Sequence, residues 1–303
     1  MNYLVLGASG FLGVHLCRQM HNQGLNFIAA GRTIPGDAET RSRWVASDYS
    51  QPSLRAVLSD CPRPLSVVHL AAVRPAALGK VAFSPEHYLR NLQLMTNILE
   101  SCRAEGVQDV VCASSRACYS EGGRAWKEDD DSIALTLYGQ SKRDADSLGR
   151  FFSVRHGLRV RSLRFAQIVG WGEHGGFLLN TWIDQASKGL PLVLAGSGAG
   201  RRQYVSVRDA TSALLHFCGE QIPAGVYNIG LPGTTSIYEL GLLINRSLYN
   251  PAGIEARKND AEDLGVYEMD VSKAGRAGWE AAQSLEQALA EAGEATAGIG
   301  PTR

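Results

Sequence analysis

Net charge is missing from this sequence: 30 Lys and Arg balance 30 Asp and Glu among 303 residues. A chain without an excess of either sign has no bulk field to hold nucleic acid or an anionic membrane. Neither is an expected partner. Long apolar runs are missing too, and none approaches the roughly 20 residues a membrane-spanning helix needs. No basic leader and no small-residue cleavage site stand before the first Gly cluster, so a signal peptide is not expected. The six cysteines (Cys17, Cys61, Cys102, Cys112, Cys118 and Cys218) form no C-x-x-C pair. Most sit in apolar stretches, where a free thiol behaves as a small hydrophobe. They read as reduced, which points to a cytoplasmic protein. No His/Cys cluster has ligand spacing, so no metal is expected.

What remains is an ordinary globular composition, 45% hydrophobic and 20% charged. The length suits one large domain or two modest ones, with no need of a disulfide or metal staple. Short apolar runs alternate with helical patterns through the first two thirds. Strands are expected at Asn2–Leu6, Asn26–Ala30, Trp44–Ala46, Ser66–Leu70, Asp109–Ala113 and Arg159–Phe165. Helices are expected at Phe11–Asn22, Pro52–Asp60, Glu86–Glu105 and Tyr138–His156. This alternation predicts an α/β fold, a doubly wound parallel sheet covered on both faces. Beyond Gly170 the rhythm loosens, with helices expected at Phe177–Lys188, Arg208–Gly219, Ile237–Leu248 and Ser284–Glu291. Strands are expected there at Leu192–Leu194 and Gly225–Ile229. The acidic run Glu128–Asp131 reads as a solvated loop, and residues 293–303 as a disordered tail.

The first strand runs into Gly7-Ala8-Ser9-Gly10-Phe11-Leu12-Gly13, which opens the first helix. Strand, glycine turn and helix in this order make a dinucleotide-binding start. The glycines allow a tight turn and close backbone approach, and the helix N-terminus offers donors to a pyrophosphate. A structural glycine turn would read the same way. The second strand ends at Gly31-Arg32-Thr33, where an NAD site usually carries an acid for the ribose hydroxyls. An Arg in that place suits the 2′-phosphate of NADP. Arg32 stacked on adenine or facing solvent is the competing assignment.

The fifth strand leads into Ser114-Ser115-Arg116-Ala117-Cys118-Tyr119, and a later helix opens with Tyr138-Gly139-Gln140-Ser141-Lys142. Four residues apart on a helix, Tyr138 and Lys142 face the same way. An ammonium beside a phenol favours the phenolate, which makes the phenol a usable proton donor to a carbonyl or a base toward an alcohol. A Ser hydroxyl at the neighbouring strand end can hold the same oxygen.

In this order of glycine turn, strand-end Ser and Tyr-x-x-x-Lys, the chain resembles the extended short-chain dehydrogenase/reductases, the NAD-dependent epimerase/dehydratase family. Further matches are Asp48, His69-Leu70-Ala71-Ala72, Arg164-Phe165-Ala166-Gln167-Ile168-Val169-Gly170, Arg202-Gln203-Tyr204-Val205-Ser206-Val207-Arg208-Asp209 and Gly225-Val226-Tyr227-Asn228-Ile229-Gly230. The resemblance runs to about Leu289. It implies Ser115 as the catalytic Ser/Thr, Tyr138 as the acid/base, and Lys142 as the residue that activates it and binds the nicotinamide ribose. It implies Gly7, Ser9, Gly10, Phe11, Leu12, Gly13, Arg32, Asp48, Leu70, Ala71 and Ala72 as cofactor contacts, with Asp48 on adenine. Ser115, Gln167 and Arg202 would touch the substrate, Arg202 on the diphosphate of a nucleotide-sugar.

The departures bear on the reaction. Family 4,6-dehydratases place Asp-Glu directly after the catalytic Ser/Thr, where this chain has Arg116-Ala117, which speaks against dehydration. The epimerising Cys of the GDP-fucose synthases falls on Ala117, and Cys118 reads as packed. Gln167 and Gln203 replace the family Asn and Asp. The leading expectation is therefore NADPH-dependent reduction of a keto group on a nucleotide-linked 4-keto-6-deoxy sugar. The alternatives are an NAD-dependent nucleotide-sugar 4-epimerase, a non-catalytic dinucleotide-sensing regulator, and a reductase of a lipid or flavonoid ketone. The expected layout is a Rossmann domain over 1–166 and about 205–230. A smaller C-terminal α+β substrate lobe would come from about 167–204 and 231–292. Family members commonly pair through the helices matching Glu86–Glu105 and Tyr138–His156, so a homodimer is expected.

Overall fold

The computed structural model describes residues 1–74, 84–173, 177–257, 263–296 and 298. The first half is strand–helix alternation: β1 (Asn2–Leu6), α1 (Phe11–Asn22), β2 (Asn26–Gly31), a one-turn α2 (Ala38–Arg41), β3 (Trp44–Ala46), α3 (Gln51–Asp60), β4 (Leu65–His69), α4 (Pro85–Ala104), β5 (Asp109–Ser115), α5 (Leu137–His156) and β6 (Arg159–Phe165). Then follow β7 (Gln167–Val169), α6 (Leu178–Ser187), β8 (Leu192–Ala195), β9 (Arg201–Arg202), β10 (Tyr204–Ser206), α7 (Val207–His216) and β11 (Gly225–Ile229). The chain continues through β12 (Thr235–Ser236), α8 (Ile237–Ser247), β13 (Ile254–Arg257), β14 (Val266–Tyr267), α9 (Ser272–Arg276) and α10 (Leu285–Thr296).

The helices start where side chains can satisfy free N–H groups. Ser50, Thr136 and Ser206 cap α3, α5 and α7, and reciprocal capping boxes open α4 (Ser84, His87) and α8 (Ser236, Glu239). Gly157, in the left-handed region at φ 71°, closes α5.

Seven strands form one parallel sheet in the order β11-β6-β5-β4-β1-β2-β3. Its middle strands carry apolar side chains on both faces because helices cover both. On one face Leu16, Cys17 and Met20 of α1 meet Ala210, Ala213 and Leu214 of α7. On the other, Leu54 and Leu58 of α3 join Met95, Ile98 and Leu99 of α4 and Phe152 of α5. A third core gathers Trp182 and Ile183 of α6, Leu240 and Ile244 of α8, and Ala288 and Leu289 of α10. Small sheets, β10-β7, β12-β9-β14 and β13-β8, tie these later segments together. Met269, Ala274 and Trp279 pack instead into the first core, against the main sheet.

Two expectations need correction. Residues 293–296 are not a tail: α10 continues to Thr296, with Ala292 and Gly293 buried. A Cβ on residue 293 would meet the Leu248 side chain at 2.5 Å, so apolar packing holds the helix end. Residues 297 and 299–303 lie outside the described set. In the acidic run, Glu128 is buried rather than solvated, because its carboxylate accepts the Asn228 backbone N–H at 2.8 Å. Burial pushes that carboxyl above its usual range.

The strand order reverses between β1 and β4, the switch point where parallel sheets open a crevice at their carboxyl ends. A cleft of about 600 Å³ lies there.

Candidate active site

The glycine turn is built for close approach. Gly7 sits at φ 90°, a backbone that favours glycine, and a Cβ there would lie 2.6 Å from Ala71 N. A Cβ on Gly13 would lie 2.3 Å from Gly7 O, so α1 presses onto the end of β1. The Gly10 N–H donates to Gly7 O at 3.0 Å. Among the described residues no side chain caps α1, whose first turn lines the cleft. That arrangement fits the pyrophosphate of a dinucleotide.

All but one of the expected cofactor residues line this cleft. Gly7, Ser9, Gly10, Phe11, Leu12 and Gly13 form one wall. Leu70, Ala71 and Ala72 follow β4, and the Leu70 and Ala71 N–H groups both donate to Leu6 O. Arg32 stands exposed at the rim, with no ion-pair partner among the described residues. Asp48 is the exception. Its exposed carboxylate turns away to accept the Ser50 N–H at 2.8 Å, and hydrogen bonds from Ser50 hold it below the usual carboxylate range. Its neighbour Tyr49, at φ 64°, faces the cleft instead.

Ser115, Tyr138 and Lys142 come together from β5 and the first turns of α5. Ser115 Oγ accepts the Ala117 N–H at 3.1 Å, opening the short 3₁₀ turn Arg116–Cys118. The Lys142 ammonium donates to Ala113 O at 2.8 Å, which anchors it to β5. Beside it lies a small space of about 20 Å³, bordered by His69, Asn91, Met95, Cys112, Ser141 and Asp146. Burial, then the Lys142 charge, hold the His69 imidazole down at about 3, and its Nδ1 has no hydrogen-bond partner among the described residues. Cys118 is packed as expected, its thiol pushed up to about 12 by burial.

The expected substrate residues Gln167 and Arg202 line the far end of the cleft. Gln203 does not reach it. Its buried amide donates to Leu231 O and Met269 O and accepts the Met269 N–H, so it staples the chain together. A buried network stiffens the floor: Arg164 donates to Asp146 at 2.8 Å and to Tyr119 OH at 2.7 Å, and Tyr119 donates to Asn228.

Three groups at the cleft escaped sequence reasoning. Arg74 and Glu173 pair at 2.5 Å across its mouth. Tyr267 carries both the Arg116 and the Arg202 guanidinium on its ring. Each comes from a segment without a motif, distant in sequence from its partner, so no spacing could have announced it.

The model of the NAD-dependent epimerase/dehydratase family matches residues 3–230. The chain belongs to that family. It is 24% identical over 304 residues to UDP-glucuronic acid decarboxylase 2 of Arabidopsis thaliana. That alignment covers 95% of this chain but only 66% of the plant protein's length. It is 27% identical over 272 residues to dTDP-4-dehydro-6-deoxy-D-allose reductase of a Streptomyces species, covering 83% and 82% of the two chains. Among solved structures, UDP-N-acetylglucosamine 4-epimerase of Bacillus cereus superposes with a TM-score of 0.84 at 25% identity, covering 99% of this chain and 96% of that one. The expected fold class and the family resemblance both hold.

Proposed function

We propose that this member of the epimerase/dehydratase family is a nucleotide-sugar 4-epimerase. The carrying observation is the convergence of Ser115, Tyr138 and Lys142 on one cleft with the uncapped α1 N-terminus. A bound nicotinamide dinucleotide would supply hydride exchange at the sugar carbon. The glycine turn and the first turn of α1 would hold its pyrophosphate, and Leu70, Ala71 and Ala72 would flank it. Tyr138 would take the proton from the C4 hydroxyl and later return it. Ser115 would hold the same oxygen, and Lys142, fixed on Ala113 O, would bind the nicotinamide ribose. Arg202 would pair with the substrate diphosphate. The likeness to a 4-epimerase over nearly the whole chain supports this choice.

The test is to incubate the purified protein with UDP-sugars and follow C4 inversion by proton NMR. Inversion without added reductant supports the assignment. Turnover only with added NADPH and a keto-sugar supports the second reading, a reductase, which Arg32 at the rim and the likeness to a keto-sugar reductase favour.

Two copies would pair through α4 and α5, which leave Leu89, Phe151 and Val154 exposed. Light scattering reporting a monomer at micromolar concentration would count against that pairing.

A further inference from the structure

Arg116 follows Ser115 directly and lines the cleft. Its guanidinium lies 4.9 Å from the centroid of the Tyr267 ring, and that of Arg202 lies 4.5 Å from the same centroid. Tyr267 is held in place by a 2.6 Å hydrogen bond from its hydroxyl to Glu121. The two cations differ in their partners. Arg202 bonds the Asp263 carboxylate, Gly265 O and Arg201 O. Arg116 has no ion-pair partner among the described residues, and Asp263, whose field reaches it, is taken by Arg202. Burial, then the charge of Arg202, hold the Arg116 guanidinium below the usual arginine range. A largely desolvated cation beside a second cation calls for an anion.

Position selects which anion. In the 4-epimerase assigned above, on which this step rests, Ser115 holds the oxygen on C4. The diphosphate hangs from C1, across the sugar ring from C4, and is the group assigned above to Arg202. A residue adjoining Ser115 would face the substituents on the two carbons beside C4: C3 carries a hydroxyl, which offers a cation no charge to pair with, and C5 carries the exocyclic group. In a hexose that group is hydroxymethyl, in a 6-deoxy sugar methyl, and in a hexuronic acid a carboxylate. A carboxylate alone would pair with the guanidinium, and its two oxygens match the planar fork of Arg.

We propose that Arg116 is a specificity-determining residue that binds the C5 carboxylate of a nucleotide-linked uronic acid. It would reject neutral sugars by being left unpaired when they bind. A charge-assisted pair of this kind is worth about 10- to 150-fold in affinity.

Calorimetry with UDP-glucuronate, UDP-glucose and UDP, against the parent and Arg116→Met, tests this. The parent should bind UDP-glucuronate at least about tenfold tighter than UDP-glucose. Arg116→Met, which keeps an apolar stem beside Tyr267, should lose that preference and leave UDP affinity unchanged. Arg116→Lys should recover part of it, and the comparison of sugars in the parent needs no variant at all. Equal affinity of the parent for the two sugars would overturn the carboxylate assignment alone. So would an equal loss for UDP and UDP-glucuronate in Arg116→Met, which would put Arg116 on the diphosphate. A parent that binds none of the three would overturn the UDP-sugar reading on which the carboxylate rests.

Discussion

Gly139 and Ala117 touch so closely that a Cβ on residue 139 would lie 1.9 Å from the Ala117 carbonyl oxygen. This contact sets the start of α5 against the turn that follows Ser115, and so fixes how far Tyr138 stands from Ser115. The obstacle is backbone and cannot swing aside. Gly139→Ala must therefore push the helix start and the turn apart, by a displacement on the order of 1 Å. Misplacement of that size costs about 10²-fold in rate when reacting groups must align. Turnover of Gly139→Ala should fall by about that factor while cofactor affinity, set at the distant glycine turn, stays near the parent's. Steady-state kinetics and a cofactor titration measure both, and turnover within a few-fold of the parent would refute the spacing role.

Tyr138→Phe keeps the ring and deletes the transferable proton. Turnover should drop by about 10² to 10⁴, the range for a positioned general acid–base group. Cofactor affinity should scarcely change. Retained turnover would mean that another group moves the proton.

The sheet and the glycine-turn wall of the cleft were legible because both are local. Apolar runs announce strands, and Gly7, Gly10 and Gly13 announce their own turn through spacing. The opposite wall was legible only in part, because Arg116, Arg202 and Tyr267 meet there across the fold. Arg161 and Arg164 illustrate the limit. Each is a cation on β6, yet both are buried, paired with Asp109 and Asp146 from other elements. Glu128 is buried for the same reason, since its partner Asn228 is a hundred residues away.

His69 predicts a pH dependence of stability. Its folded value is depressed to about 3 by burial and by Lys142, below the ordinary 6.5. Above 6.5 both folded and unfolded chains hold it neutral, and it costs nothing. As pH falls below 6.5 the unfolded chain takes a proton that the folded one refuses, so stability is lost. The loss is about 1.4 kcal/mol per pH unit, or about 2 kcal/mol between pH 6.5 and 5. Urea unfolding of the parent and of His69→Gln at both pH values isolates this part. Equal slopes for the two proteins would mean that the folded state protonates His69 after all.

Arg32 separates the two enzymatic assignments. A reductase consumes its cofactor at each turnover and draws on the reduced pool, which is mainly NADPH. An epimerase regenerates its cofactor in place and has no use for a 2′-phosphate. Arg32 stands at the rim beyond β2, free of any acid among the described residues, where such a phosphate would lie. If it pairs with that phosphate, Arg32→Ala should weaken NADPH by about 10- to 150-fold and leave NADH nearly untouched. Titration of both cofactors against both proteins measures the difference. A parent that prefers NADH, with no selective loss in Arg32→Ala, leaves the guanidinium on the adenine face or in solvent. That outcome, joined to tightly retained NAD in the purified protein, assigns the cleft to epimerisation.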